Sequence, residues 1–174
     1  MLVFRTLALS AVLVGSAPEL QAQAPLNDLE MAHVAVTADA IDIAYAKLVL
    51  QHSKNATVRE FAETMIRDHT AVSAQVVALA KRLNVTAQDN AFSQTLVTNA
   101  KAIKEQLTSL RGAALDRFYA KNELAYHQAV NGAVSTQFIP NIKNADVKKA
   151  FEGALVIFRA HEQHAQMMVT SLEK

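Results

Sequence analysis

The stretch "VREFAETMIRDHTAVSAQVVALAKRL", residues 58–83, carries the pattern from which the fold can be predicted. Its apolar and small side chains recur every three or four residues, so they share one face of an α-helix. The exception within this stripe is His69, an imidazole where a packing side chain is expected. The stretch therefore predicts a long amphipathic helix whose buried face carries one histidine. The stripe consists of Val58, Ala62, Met65, His69, Val72, Val76, Leu79 and Leu83.

Similar spacing elsewhere predicts further helices, and no stretch alternates polar and apolar residues as a β-strand does. Glycine and proline number only four and three, and no proline lies between Pro25 and Pro140, which favours long helices. Gly112 marks an expected break. The predicted helices cover about residues 29–53, 55–83, 94–110, 113–138 and 144–174.

The predicted fold class is all-α. We expect an up-down four-helix bundle with an extra short helix before the third long helix, formed by residues 25–174 as one domain. The segments "KNATVRE" at Lys54 and "KNADVKK" at Lys143 open the second and last helices in the same phase. This similarity predicts that the two helices run parallel, with one longer crossover. Because it fades within two turns, chance is the alternative explanation.

Residues 1–24 have the features of a secretory signal peptide. Arg5 precedes a mostly apolar run at residues 7–14, and Ala22-Gln23-Ala24 has the small residues of a cleavage site. The apolar run is shorter than the roughly 20 residues that span a bilayer, so we expect cleavage after Ala24 and no stable membrane insertion of the mature chain. The expected location is a bacterial periplasm. Since the chain has no cysteine, its stability there must come from packing.

A second histidine, His161, lies in the apolar stripe of the last helix just as His69 lies in that of the second. Counted from the helix starts at Asn55 and Asn144, the two stand about 21 and 25 Å along the bundle. Each histidine alone is most simply a core residue satisfied by a backbone or carboxylate partner. Their similar height suggests instead that the two imidazoles meet.

The other two long helices offer ligands at the same height. The first helix runs the other way and ends near Ser53. Counting back the same distance from that end arrives at about Val36 to Asp39, with Asp42 within one further turn. The helix that precedes Pro140 ends near Ile139. Counting back the same distance from that end arrives at Glu123, with His127 within a turn. Each long helix thus offers an imidazole or a carboxylate at one level, as a metal site inside a bundle requires.

The favoured occupant of this layer is a transition metal ion such as iron, copper or zinc, because imidazole nitrogen and carboxylate oxygen suit these ions, and a small ligand between the helices is the other possibility. The expected role is metal binding or stress protection rather than rapid catalysis. A complete di-iron signature would place Glu three residues before His on two helices. Ile66 and Phe158 occupy those positions instead. The predicted metal ligands are His69, His127 and His161, with Asp42 and Asp68. Secondary candidates are Glu123, Glu162, His164 and Asp39.

Two alternatives remain open from the residues alone. The same geometry could form a structural His/Asp layer that only fixes helix register, in a non-enzymatic interaction protein. An enzyme is the less favoured alternative, because the chain lacks a Ser/His/Asp or phosphate-loop motif and a nucleophilic cysteine. The net charge of +1 gives no reason to expect a nucleic-acid partner. A protein partner is not identified, and a homo-oligomer is compatible with the sequence.

Two longer segments, "EFAETMIRDHTAVSAQVVALAKRLNV" and "LTSLRGAALDRFYAKNELAYHQAV", resemble the domain of unknown function 4142 family. The resemblance covers about residues 32–172. An Asp-His pair of the family is matched by Asp68 and His69, and the histidine of its last helix by His161. In the second segment the family has a glycine, an aromatic residue, Asp, a basic residue and Tyr. The matching positions are Gly112, Leu115, Asp116, Arg117 and Tyr119, with Leu115 in the aromatic's place.

The family's second Asp-His pair is only partly present. His127 is kept, but Tyr126 stands where the acid is usual, and Glu123, one turn earlier, is the candidate replacement. Asp42 takes the position of an acid that is common in the family's first helix. The resemblance implies an exported, ferritin-like helical bundle. It implies no reaction, because the family has no assigned activity and a fold does not fix one.

Overall fold

The computed structural model describes residues 25–173, in which five α-helices and no β-strand occur. The prediction of an all-α fold with a short helix before the third long one is therefore confirmed. No helix among these residues has both the length and the apolar character needed to cross a bilayer. The predicted leader, residues 1–24, lies outside the described residues. The helices are α1 (Asp28–His52), α2 (Ala56–Leu83), α3 (Ala91–Ser109), α4 (Gly112–Ala133) and α5 (Ala145–Leu172), and a π-helical segment (Val134–Phe138) continues α4.

Asparagine caps four of the helix starts. The side chains of Asn55 and Asn144 accept hydrogen bonds from the first-turn amides of α2 and α5, as their positions in the sequence predict. Asn27 does the same for α1. Helix α3 begins at Ala91, about three residues earlier than predicted, because Asn90 caps it by accepting from the Ser93 amide.

The directions of α4 and α5 differ from the up-down order expected for the four long helices. Arg82 at the end of α2 contacts Asp146 at the start of α5, with 2.8 Å between Nη2 and Oδ2. These two helices therefore run antiparallel, and the parallel arrangement inferred from the "KNATVRE" and "KNADVKK" segments is wrong. The reason is the crossover: α3 begins beside Glu30 of α1, whose carbonyl accepts from Asn90, and returns the chain to the opposite end of the bundle. Helix α4 then runs in the same direction as α2.

A buried polar layer separates two apolar clusters. One cluster lies towards the C-terminal end of α1 and includes Phe61, Leu107 and Tyr119, all with no exposed surface. The other lies towards the N-terminal end of α1 and includes Met31 and Phe151. The polar layer between them takes side chains from α1, α2, α4 and α5. Its buried members are Asp39, Asp42, His69, Glu123, His127 and His161.

One buried hydrogen bond joins the end of α1 to the start of α4. The Ser53 hydroxyl donates to Asp116 Oδ1 at 2.6 Å, and both residues are buried. Replacing Ser53 by Ala leaves a buried carboxylate oxygen without this donor. We expect the free energy of unfolding to fall by about 1–3 kcal/mol, as measured by urea denaturation. Ser109→Ala, at an exposed position, is the control and should change it by less than about 0.5 kcal/mol. Equal effects of the two substitutions would contradict this role of Ser53.

Candidate functional site

Three imidazoles meet at mid-height in the bundle, one each from α2, α4 and α5. The ring centroids of His69, His127 and His161 are 5.2 to 5.7 Å apart. One ring nitrogen from each histidine lies within 4.8 Å of the other two. All three side chains are buried, and the ring of His69 stacks on Phe158 with a centroid distance of 4.9 Å. The structure thus brings together the three histidines predicted as ligands.

His69 is held by a carboxylate on α1. Its Nδ1–H donates to Asp39 Oδ1 at 2.7 Å, and the other oxygen of Asp39 accepts from the Ser73 hydroxyl, also at 2.7 Å. This pair of hydrogen bonds fixes the ring orientation and leaves Nε2 facing the cluster. Asp39, a secondary ligand candidate in the sequence, therefore contacts the far side of the imidazole.

His127 and His161 are held in the same way. His127 Nδ1–H donates to the backbone carbonyl of Glu123 at 2.9 Å. His161 Nε2–H donates to Asp68 Oδ2 at 3.0 Å, and Arg67 binds both oxygens of that carboxylate. Asp68, predicted as a ligand, thus orients His161. Each imidazole uses one nitrogen for an outer acceptor and keeps the second for the interior, as metal-binding histidines do.

The interior atoms of the cluster lack hydrogen-bond partners among residues 25–173. They are His69 Nε2, His127 Nε2, His161 Nδ1, both carboxylate oxygens of Asp42 and Glu123 Oε2. Asp42 Oδ2 lies 3.0 Å from His69 Nε2 and 3.5 Å from His127 Nε2, without hydrogen-bond geometry in either case. Leaving so many buried polar atoms unpaired destabilises a fold, since each one costs about 1–3 kcal/mol.

Asp42 belongs to a second group of possible ligand atoms. One carboxylate oxygen each from Asp42 and Glu123 and one nitrogen of His127 lie within 4.8 Å of one another. Asp42 and Glu123 have no exposed surface. The carboxylate of Glu123 therefore lies at the cluster. The resemblance expects an acidic side chain in this region, at the position that Tyr126 occupies.

Burial and charge set the pKa values of these groups in opposite directions. Burial lowers the pKa of His69, but the carboxylates of Asp42 and Asp39 outweigh it and raise that pKa to about 10. Burial lowers the pKa of His161 to about 4, although Asp68 opposes the shift. Burial, reinforced by Asp42, raises the pKa of Glu123 well above its usual range. Without a bound cation, positive charge therefore collects on His69, between the two aspartates.

Two secondary candidates lie outside the cluster. Glu162 accepts a hydrogen bond from the Asn131 amide at 2.6 Å, and His164 packs its ring edge against Phe61 at a centroid distance of 5.0 Å. Sequence reasoning did not single out Ser73 or Arg67. Ser73 lies one turn after His69 on a neighbouring face, which is the only signal for its role. Arg67 is one of several scattered basic residues, and only the structure shows that it holds Asp68.

The fold and the cluster define an all-helical protein with a buried histidine and carboxylate centre. The chain belongs to the family described as Domain of unknown function (DUF4142), whose model matches residues 15–168. This match confirms the resemblance noted in the sequence. No curated protein and no solved structure gives a significant match to the chain.

The role of Asp39 can be tested in the metal-free protein. Replacing Asp39 by Ala leaves the Nδ1–H of His69 and the Ser73 hydroxyl without an acceptor in the interior. We expect the free energy of unfolding to fall by about 3 kcal/mol or more, because a buried pair loses one partner. Ser73→Ala removes only one donor and should cost about 1 kcal/mol. An Asp39→Ala effect no larger than that of Ser73→Ala, in urea denaturation, would show that Asp39 does not hold His69.

Proposed function

We propose that this protein binds a divalent transition metal ion through His69, His127, His161 and Asp42. The observation that carries the proposal is that the two ring nitrogens of each imidazole have different surroundings. One nitrogen is fixed by an outer acceptor, and the other is buried, directed inwards and without an aligned hydrogen bond, with His69 Nε2 in ion-pair contact with Asp42 Oδ2 at 3.0 Å. Asp42 adds a carboxylate with no aligned hydrogen bond to either oxygen.

A purely structural polar layer would leave His127 Nε2, His161 Nδ1 and Glu123 Oε2 without hydrogen-bond partners. Polar layers that fix helix register pair their members, because a half-satisfied network is less favourable than an apolar core. A cation among the three ring nitrogens and Asp42 would satisfy these nitrogens and one oxygen of Asp42 together. Metal–nitrogen bonds of about 2.1 Å place ligand atoms roughly 3–4 Å apart, so the spacing within 4.8 Å needs only small side-chain rotations.

The donor set indicates which ions fit. Three imidazoles and a carboxylate suit zinc, copper, iron or manganese, whereas calcium and magnesium prefer oxygen ligands. The negative charges of Asp39 and Asp42 complement a cation at this depth. A bound ion would supply Lewis-acid or redox chemistry at any open coordination position. Binding and sequestering a metal ion, in protection against stress, is the role we favour over rapid catalysis.

The proposed role includes export of the protein. The features of residues 1–24 support a mature protein that begins at Pro25 and works in a bacterial periplasm. Such a protein would meet metal ions before they enter the cell.

Elemental analysis tests metal binding directly. The mature chain, purified from a periplasmic extract without chelator or affinity tag, should contain close to one metal ion per chain. His161→Ala removes one ligand and should lower the metal affinity at least 100-fold. His164→Ala is the matched control, because it changes a histidine one turn away that does not reach the cluster. Absence of metal after incubation with iron, copper and zinc, or equal loss in both variants, would refute the proposal.

The same preparation tests export. The intact mass of the periplasmic protein should correspond to a chain that begins at Pro25. A full-length chain found only in the cytoplasmic fraction would contradict a cleaved leader and would leave the metal-binding result unaffected.

A further inference from the structure

An apolar cavity of about 150 Å³ adjoins the histidine cluster. All five helices contribute to its wall, and His69 and His127 stand at one end of it. The cavity extends from there towards Phe138 and Phe151, in the apolar cluster at the N-terminal end of α1. Along α5 it is lined from Ala150 to Phe158, about 12 Å of helix, so it is elongated along the bundle.

Apart from the imidazoles of His69 and His127 at one end, the wall offers almost nothing for a polar molecule to bind. Asp39 is the charged carboxylate that lines it, and its oxygens already accept from His69 and Ser73. The hydroxyl of Tyr126, another lining residue, donates to the Ala38 carbonyl at 2.9 Å. A water molecule in an apolar space with so few partners is unfavourable. The chemistry of the wall therefore selects an apolar occupant.

The volume limits the size of that occupant. An apolar cavity of about 150 Å³ stays dry and accommodates a molecule such as benzene. Phe92 of α3 and Ala129 of α4 line the cavity and are also exposed at the surface, so single side chains separate the cavity from solvent between these two helices.

We propose that this cavity binds a small apolar molecule, of the size of a single aromatic ring, and holds it against the imidazoles of His69 and His127. The cavity is complete without a metal ion, so binding itself does not depend on the function proposed above. What rests on that function is the consequence: an apolar ligand would lie beside the metal ion. The molecule that binds next to the metal ion would then be apolar rather than charged.

Fluorobenzene is a suitable probe, because its binding can be followed by ¹⁹F NMR with metal-free protein. The wild-type chain should show saturable binding. Ala154→Leu fills part of the cavity from α5 without touching the histidine cluster and should weaken binding at least tenfold. Ala160→Leu, on the exposed face of the same helix, is the matched control and should bind as the wild type does. If Ala154→Leu fails to fold, Ala133→Leu fills the cavity from α4. Absence of saturable binding by the wild type, or equal affinity of cavity and control variants, would overturn the proposal.

Placement beside the centre has a separate test. Loading with Mn²⁺ should shorten the ¹⁹F relaxation times of bound fluorobenzene strongly compared with loading with Zn²⁺. Unchanged relaxation in a chain shown by elemental analysis to hold Mn²⁺ would overturn the placement. If neither ion binds, the result contradicts the metal proposal and the placement beside the metal ion, whereas the metal-free titration still tests binding in the cavity.

Discussion

The centre of this structure depends on one buried carboxylate, that of Asp42. It has no exposed surface, it faces two imidazoles, and neither of its oxygens has a hydrogen-bond partner among the described residues. An ionised group in such a place is strongly unfavourable unless cations or hydrogen bonds compensate it. The histidines of the neighbouring helices lower the pKa of Asp42 against the effect of burial and so keep it charged. The arrangement is therefore explained by a positive charge at the cluster.

Several buried and half-buried side chains serve to orient the cluster. Asp39 and Ser73 connect α1 to α2 beside His69, and Asp68 connects α2 to His161 of α5. These contacts join α1 to α2 and α2 to α5. They lie at the level of the polar layer that separates the two apolar clusters. The same interactions thus determine the helix register and the direction in which each imidazole points.

The sequence predicted the height of the cluster correctly even though the expected directions of α4 and α5 relative to α2 were wrong. His69 and His161 lie near the middle of helices of 28 residues each, so their level is similar when counted from either end. The partners of the second ring nitrogens were harder to predict. Whether Asp39 or Asp42 faces the interior depends on a rotation of α1 about its axis by only about 60°, which helix ends uncertain by a few residues do not define.

The cavity could not be predicted from the sequence either, because small side chains from five helices have to meet in space to form it. Tyr126 illustrates the point. In the sequence it is a departure from an expected acid, whereas in the structure it lines the cavity and its hydroxyl ties α4 to the Ala38 carbonyl of α1. An acid at this position would place a charge in an apolar wall. The substitution therefore accompanies an apolar environment beside the histidines.

Anomalous X-ray diffraction from crystals grown with Zn²⁺ or Mn²⁺ tests the central claim most directly. The account predicts one strong peak between the three imidazoles and Asp42, about 2.0–2.2 Å from the ligand atoms. It also predicts that the hydrogen bonds to Asp39, Asp68 and the Glu123 carbonyl persist. A cluster without a peak, in which Asp42 instead forms direct hydrogen bonds to His69 and His127, would contradict it and identify a structural polar layer.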